Sequence, residues 1–120
     1  MGLFDTKLHE LQKDLQQLYP QTLGVVDADM QAILTSAAAD HASGKLDDLK
    51  YSQMIACPNA ILALTQEIQK LVGTTIPDGA GVGWILYQAK MLQENDLDTF
   101  LTQVKLVKGT CSSMIPGLTL

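Results

Sequence analysis

The chain contains no arginine, and each of its eight basic residues is a lysine. Lysine offers a point charge, whereas the planar guanidinium of arginine binds phosphate, carboxylate or guanine through two hydrogen bonds at once. The net charge is −5, so the chain also lacks the basic excess that binds a nucleic-acid backbone. We therefore predict no direct binding of DNA or RNA.

Aromatic and charged residues are also scarce, at 5% and 18% of the 120 residues. Hydrophobic residues make up 47% of the chain, and most of them are aliphatic. A chain of this length and composition can bury a core without the help of metals or disulfides. The sequence therefore predicts a single domain over residues 1–120, and its apolar periodicity predicts that this domain is helical.

Long apolar runs and a secretory signal pattern are absent from the sequence. We therefore expect no membrane span and a cytoplasmic protein, or a component of a particle that is assembled in the cytoplasm. The two cysteines, Cys57 and Cys111, are expected to be buried thiols in that reducing compartment. The sequence leaves open whether they pair.

The first predicted helix carries a seam in which apolar residues recur in alternating steps of four and three: Phe4, Leu8, Leu11, Leu15 and Leu18. It ends at Tyr19-Pro20, because proline disfavours the helical conformation of the residue before it. Such a seam usually belongs to the core of its own chain, but it also suits a neighbouring helix or a symmetry mate.

A second helix is predicted to be capped by Asp27 or Asp29 and to end before Gly44. Its later turns are rich in small residues, which lets another helix approach closely. The predicted inner face comprises Met30, Ile33, Leu34, Ala37, Ala38 and His41.

A proline divides the middle of the chain. A shorter helix over residues 46–55 is predicted to end at Cys57-Pro58-Asn59. Pro58 suits the first turn of a following helix, which continues until Gly73 stops it. The sequence thus predicts two helices on either side of this boundary.

Two further helices are predicted after a long loop over residues 73–83. One covers residues 82–95, and Asp96 caps the last, which reaches Val107. No segment shows the alternation and hairpin turns of β-strands. The predicted fold is therefore all-α, a compact bundle of five to six helices with an extended apolar C-terminal tail.

The glycines of residues 79–83 could let backbone N–H groups approach an anion at a helix N-terminus. Their spacing is not that of a dinucleotide-binding loop, and the Lys-Ser/Thr of a phosphate-binding P-loop is missing. We interpret the segment as a connection between helices. Whether it binds an anion is left open by the sequence.

Cys57 lies at a predicted helix N-terminus, where the helix dipole favours a thiolate. A cysteine nucleophile also needs a base, and the sequence places neither His9 nor His41 near it. Asp5 and His9 share a helix face, but one carboxylate and one imidazole do not make a metal site, and helix capping is the simpler role for Asp5. An enzyme acting through Cys57 is thus disfavoured.

The paired carboxylates Asp27/Asp29 and Asp96/Asp98 each open a predicted helix. Acidic groups at that position satisfy free N–H groups and complement the helix dipole, so we interpret both pairs as caps. We predict no catalytic, cofactor-binding or metal-binding residue, no cofactor and no enzymatic activity.

The last twelve residues, 109–120, contain no charged side chain. A chain end of this composition frays unless it is docked. Its apolar side chains could fill a groove of the same bundle or dock on a neighbouring subunit, and the sequence does not decide between the two.

The leading functional prediction is a non-enzymatic protein–protein interaction or structural subunit. It self-associates as a homo-oligomer or binds a protein partner in a larger assembly, such as a secretion machine or a virus particle. The alternative is a small helical binding module that holds an apolar ligand between helices. It would use the small-residue face of residues 37–42 and the Met and Trp side chains, with a polar mouth near Trp84 and Tyr87. The predicted interface residues are Phe4, Leu8, Leu11, Leu15, Leu18, Met114, Ile115, Leu118 and Leu120.

Overall fold

The computed structural model describes residues 2–115 and 118 of the chain. These residues contain helices and turns but no strand, so the prediction of an all-α fold is confirmed. The helices of the described residues are α1 (Leu3–Leu18), α2 (Leu23–Ala42), α3 (Asp48–Val72), α4 (Val82–Ala89) and α5 (Glu94–Cys111).

The core lies where α1, α3 and α5 meet, and α4 closes it beside α1. The seam of α1 supplies Leu11, Leu15 and Leu18, each at most 1% exposed. Ile61 and Ile68 of α3 and Phe100 of α5 are buried against the same cluster, together with other apolar side chains. The apolar periodicity of these helices therefore forms the core of this chain.

A buried ion pair lies inside the contact between α1 and α5. Nζ of Lys108 donates to Oδ1 of Asp14 at 2.7 Å, and Lys105 reaches the other oxygen of Asp14 at 3.3 Å. Lys105 also pairs with Glu10. The pattern of the sequence does not point to these residues, although Lys108 continues the spacing of Val104 on the buried face of α5.

The second helix begins earlier than predicted. Thr22 caps α2, and its Oγ1 accepts a hydrogen bond from the backbone N–H of Val25 at 3.4 Å. The prediction that Asp27 or Asp29 caps this helix is therefore wrong. Asp27 lies one turn inside α2, where its carboxylate accepts a hydrogen bond from Thr65.

The predicted boundary at Cys57-Pro58-Asn59 is also wrong, because α3 runs through Pro58 without interruption. Proline inside a helix cannot donate to the carbonyl four residues earlier, here that of Met54, and such a residue costs about 3 kcal/mol relative to alanine. Cys57 and Pro58 are both buried, and Cys57 is bonded to α5, so tertiary contacts outweigh the local preference.

The last two helices differ from the prediction at three of their ends. The helix predicted over residues 82–95 ends at Ala89. The next helix starts at Glu94 after Gln93, so Asp96 lies in the first turn and is not the cap. This helix also continues to Cys111, past the predicted end at Val107, because Lys108 and Cys111 have buried partners.

Candidate interaction surface

The predicted interface residues of α1 fall into two groups. Leu11, Leu15 and Leu18 are buried in the core of the chain and therefore offer no surface to a partner in this fold. Phe4 and Leu8 are partly buried and pack against the edge of the core, so only this end of the seam reaches the surface.

The predicted interface residues of the tail are partly described. Ile115 and Leu118 are half-buried against the core, whereas Met114 is 36% exposed. Leu120 lies outside the described residues. Ser113 and Met114 line a cavity of about 270 Å³ together with Leu46, Lys50, Gln53 and Met54. The beginning of the tail therefore lies beside the first half of α3.

Helices α2 and α3 extend beyond the core as a pair, which we call the two-helix arm and define as residues 27–56. The two helices are joined by a turn over residues 43–47, and α2 packs mainly against α3. The molecule measures 53 × 29 × 22 Å. Within the arm, Ala37 is the one buried residue, so residues 2–115 and 118 leave most of the arm without a covering layer.

The α2 segment of the arm carries apolar residues on several sides of the helix instead of along a single face. Aspartate is its only charged residue type, and its alanines are not confined to one side. A helix that is apolar around its circumference is normally buried. Here, Met30, Ile33 and Leu34 are only half-buried, and Ala38 is exposed although it was predicted to face inward.

Further exposed apolar side chains extend this surface to both ends of the arm. Leu49 is 67% exposed near the tip, and Met54 is 36% exposed near the core. Val25, just below the base of the arm, is 44% exposed. Together with α2, these side chains are candidates for a protein interface.

The tip of the arm is held by a polar cluster around His41. Nε2 of His41 lies 2.7 Å from Oδ1 of Asp48, and its ring stacks on Tyr51 with 4.1 Å between ring centroids. Asp47 caps α3 by accepting the backbone N–H of Lys50 at 2.8 Å. These contacts fix the turn between the two helices, a role that the sequence pattern did not reveal for His41.

The base of the arm is held by a chain of hydrogen bonds. Thr65 Oγ1 donates to Oδ1 of Asp27 at 2.8 Å, and the hydroxyl of Tyr19 lies 2.8 Å from the same Thr65 oxygen. Burial raises the pKa of the Asp27 carboxyl above its usual value, and the hydrogen bond from Thr65 opposes that rise. Burial also raises the pKa of the Tyr19 phenol.

Cys57 and Cys111 form a disulfide between α3 and α5, with 4.7 Å between their Cα atoms. Both residues are buried, at 2% and 0% exposure. The two cysteines are therefore buried, as expected, but the expectation that they are free thiols is wrong because they form a disulfide. A bonded, buried sulfur is not available as a nucleophile, which removes the basis for a Cys57 enzyme in this state.

The glycine-rich loop is tied into the fold by its backbone. The carbonyl of Ala80 accepts the N–H of Leu23, the first residue of α2, at 3.0 Å. Gly79 has a φ of 77°, which an L-residue rarely adopts, and the N–H of Ala80 bonds to the Pro77 carbonyl. The loop thus connects helices, as predicted, and binds the start of α2.

A surface groove lies between α1 and α4, with a volume of about 530 Å³. Its lining combines apolar Leu8, Leu86 and Tyr87 with polar side chains that include Asp5 and His9. Asp5 lies in the first turn of α1, but Gly2 occupies the N-cap position, so Asp5 is not the cap. The groove is open to solvent and is the nearest feature to the predicted ligand site beside Tyr87.

Residues 2–115 and 118 hold neither a candidate metal site nor a candidate membrane span. No three His, Cys, Asp or Glu residues in that part of the chain are placed to bind one metal ion. None of its helices has both the length and the apolar character to cross a membrane. Comparisons of the chain with protein-family models, with curated proteins and with solved structures find no match.

Proposed function

We propose that the protein is a structural or interaction subunit that self-associates through its two-helix arm. The observation that carries this proposal is the contrast between the composition of α2 and its exposure. Nine of the 16 residues in the α2 segment of the arm are apolar and lie on several sides of the helix, yet Ala37 is the one arm residue that is buried by the described part of the chain. A second layer of helices would bury this surface.

A second copy of the chain is the partner that fits the arm best. Two arms that pack face to face around a two-fold axis form a four-helix bundle, with identical lengths and apolar surfaces on both sides. An arm of 16 helical residues in α2 is about 24 Å long, and two helices side by side are about 18 Å wide. Such a contact buries on the order of 1,000 Å² in total, the lower end for a specific interface.

An antiparallel pairing of the two arms would bring two lysines of the tip, which also carries Asp40, Asp47 and Asp48, towards an aspartate near the base. Lys45 and Lys50 near the tip make no ion pair within the described residues, and Asp29 near the base is exposed. In an antiparallel pair, the tip of one arm lies beside the base of the other. The free lysines of one copy then approach the aspartate of its partner.

A pair of variants tests this proposal. Ala32→Glu places a carboxylate on the exposed apolar surface of α2, whereas Gln16→Glu adds the same charge to an exposed position of α1. Sedimentation velocity is expected to show a dimer for the wild type and for Gln16→Glu, and a monomer for Ala32→Glu. Equal behaviour of the two variants would count against the arm as the interface.

The cellular setting of this subunit is also a proposal. Membership of a secretion machine or a virus particle remains a prediction, and so does the cytoplasmic location. The Cys57–Cys111 disulfide weighs against a persistently reducing compartment, because disulfides are rare in the cytosol.

A small binding module for an apolar ligand is the second candidate, and the groove between α1 and α4 favours it. Its volume of about 530 Å³ lies within the range of ligand sites, and Leu86 lines it. An apolar fluorescent dye should bind there saturably, and Leu86→Trp should block that binding by filling the groove. Binding that Leu86→Trp leaves unchanged, or the absence of saturable binding, would exclude this candidate.

A further inference from the structure

The Cys57–Cys111 disulfide joins two points at which the helices are locally weak. Pro58 lacks the N–H that would bond to the carbonyl of Met54, so α3 is missing one of its hydrogen bonds there. On the other side, Gly109 lies in the last turn of α5, is exposed, and would have open space around an added Cβ. Glycine is the least favourable helix residue after proline.

Before the disulfide at Cys111, the last residue of α5 that is buried and paired with another helix is Lys108. Lys108, held by Asp14 of α1, is followed by the exposed residues Gly109 and Thr110. Beyond Lys108, Cys111 is the one buried residue of α5, and residues 112–114 are exposed. Between Lys108 and the half-buried Ile115, the covalent bond to Cys57 is therefore the main tie to the rest of the molecule.

The residues after Cys111 form local backbone hydrogen bonds, and only Ile115 and Leu118 among the described ones pack, half-buried, against the core. The backbone N–H groups of Ser112, Met114 and Ile115 bond to the carbonyls of Gly109 and Cys111. These bonds shape the segment but do not bind it to α3. Ser113 and Met114 line a depression of about 270 Å³ beside α3 that is open to solvent.

We propose that the Cys57–Cys111 disulfide is a redox-sensitive latch. In the oxidised chain it holds the last turn of α5 and residues 112–115 beside the first half of α3. A dithiol reductant releases this segment, while the core formed by α1, α3 and α5 stays folded. The latch does not depend on self-association through the arm.

The chemistry of release is a thiol–disulfide exchange. Both sulfurs are buried, so the reductant reaches them when the last turn of α5 opens. One thiolate of the dithiol attacks a cysteine sulfur, the S–S bond breaks, and the other cysteine leaves as a thiolate that takes up a proton. The second thiol of the reagent then displaces the first cysteine. Two electrons pass to the protein, giving two cysteine thiols and a cyclic disulfide of the reagent.

Hydrogen exchange of the full chain, read by mass spectrometry with and without dithiothreitol, tests the latch. We expect amide exchange in residues 109–115 to rise at least about tenfold on reduction, with less than about a twofold change in residues 8–18 of α1. Unchanged exchange in residues 109–115 would overturn the proposal. A rise of similar size in α1 would also overturn it, since this would mean global unfolding.

A variant without the disulfide provides the second measurement. The double substitution Cys57→Ala and Cys111→Ala, studied without reductant, is expected to reproduce the rapid exchange of residues 109–115 and to be insensitive to dithiothreitol. Protection equal to that of the oxidised wild type would contradict the latch. Gly109→Ala in the reduced chain should restore part of the protection, because it strengthens the helix that the latch holds. If Gly109→Ala restores no protection from exchange, the low helix propensity of Gly109 does not contribute to the release of this segment.

Discussion

Asp14 of α1 and Lys108 of α5 lie 2.7 Å apart, and their side chains are only 3% and 5% exposed. The two residues are 94 positions apart in the sequence, so the pair joins the two ends of the chain. The buried charge of Lys108 depends on Asp14, whereas Asp14 is also paired with Lys105. The pair therefore fixes which faces of α1 and α5 meet.

Asp14→Asn should destabilise the fold strongly. The substitution leaves the ammonium of Lys108 buried without a counter-charge, and the loss of one partner from a buried ion pair costs about 3–5 kcal/mol. Urea unfolding followed by circular dichroism measures this loss. As a control, Glu67→Gln breaks the exposed pair with Lys70 and should change stability by less than about 0.5 kcal/mol. Similar effects of the two substitutions would contradict the importance of the buried pair.

Tyr19→Phe removes the hydroxyl that lies 2.8 Å from Thr65 Oγ1. Thr65 keeps its hydrogen bond to Asp27, so the expected loss is that of one buried hydrogen bond, about 0.5–1.5 kcal/mol. Tyr87→Phe is the matched control, because Tyr87 is 64% exposed, and should have no measurable effect. The same unfolding assay distinguishes the two. A larger effect at Tyr87 would be the opposite of what the structure predicts.

Asp27→Asn should change how stability depends on pH. Burial raises the pKa of the Asp27 carboxyl in the folded chain, so this group binds its proton more tightly when folded than when unfolded. Its contribution to stability is therefore full below the unfolded pKa, about 4, and is lost as the pH rises through the folded pKa. The difference between wild type and Asp27→Asn in unfolding free energy, measured from pH 3 to pH 7, should shift in favour of the variant as the pH rises. A shift in favour of the wild type would contradict a raised pKa of the Asp27 carboxyl in the folded chain.

Gly109→Ala should stabilise the chain by about 0.4–1 kcal/mol, because it removes a glycine from a helix without a steric clash. Gly73→Ala has the opposite expectation, since Gly73 ends α3 with a φ of 74°, which alanine adopts only with strain. Thermal unfolding of the two variants gives the comparison. A rise in Tm for Gly73→Ala, or a fall for Gly109→Ala, would be inconsistent with these backbone conformations.

Much of the fold follows from apolar periodicity. The seam from Leu8 to Leu18 identified α1, and the spacing around Phe100 and Val104 identified α5, because side chains at these intervals share one helix face. Helix ends were less predictable. Pro58 is a strong local signal for a boundary, but burial and the bond from Cys57 to Cys111 outweigh it, and both are long-range effects.

The candidate interface was the least predictable part. Leu11 and Leu15 have the pattern of an intermolecular seam and are buried in their own chain, since periodicity marks a face without saying what covers it. The two-helix arm could be recognised only in the structure, where the apolar residues of α2 are largely exposed. The pairings of Asp14 with Lys108 and of Asp27 with Thr65 depend on tertiary proximity, which no local spacing encodes.

Sedimentation equilibrium of the oxidised wild-type chain tests self-association most directly. A contact of the order of 1,000 Å² is small, so the dissociation constant should fall in the micromolar range or above. Over loading concentrations from about 1 µM to about 500 µM, the weight-average mass should rise from the chain mass of 13.0 kDa towards twice that value. A mass that stays at 13.0 kDa over the whole range would contradict self-association through the arm.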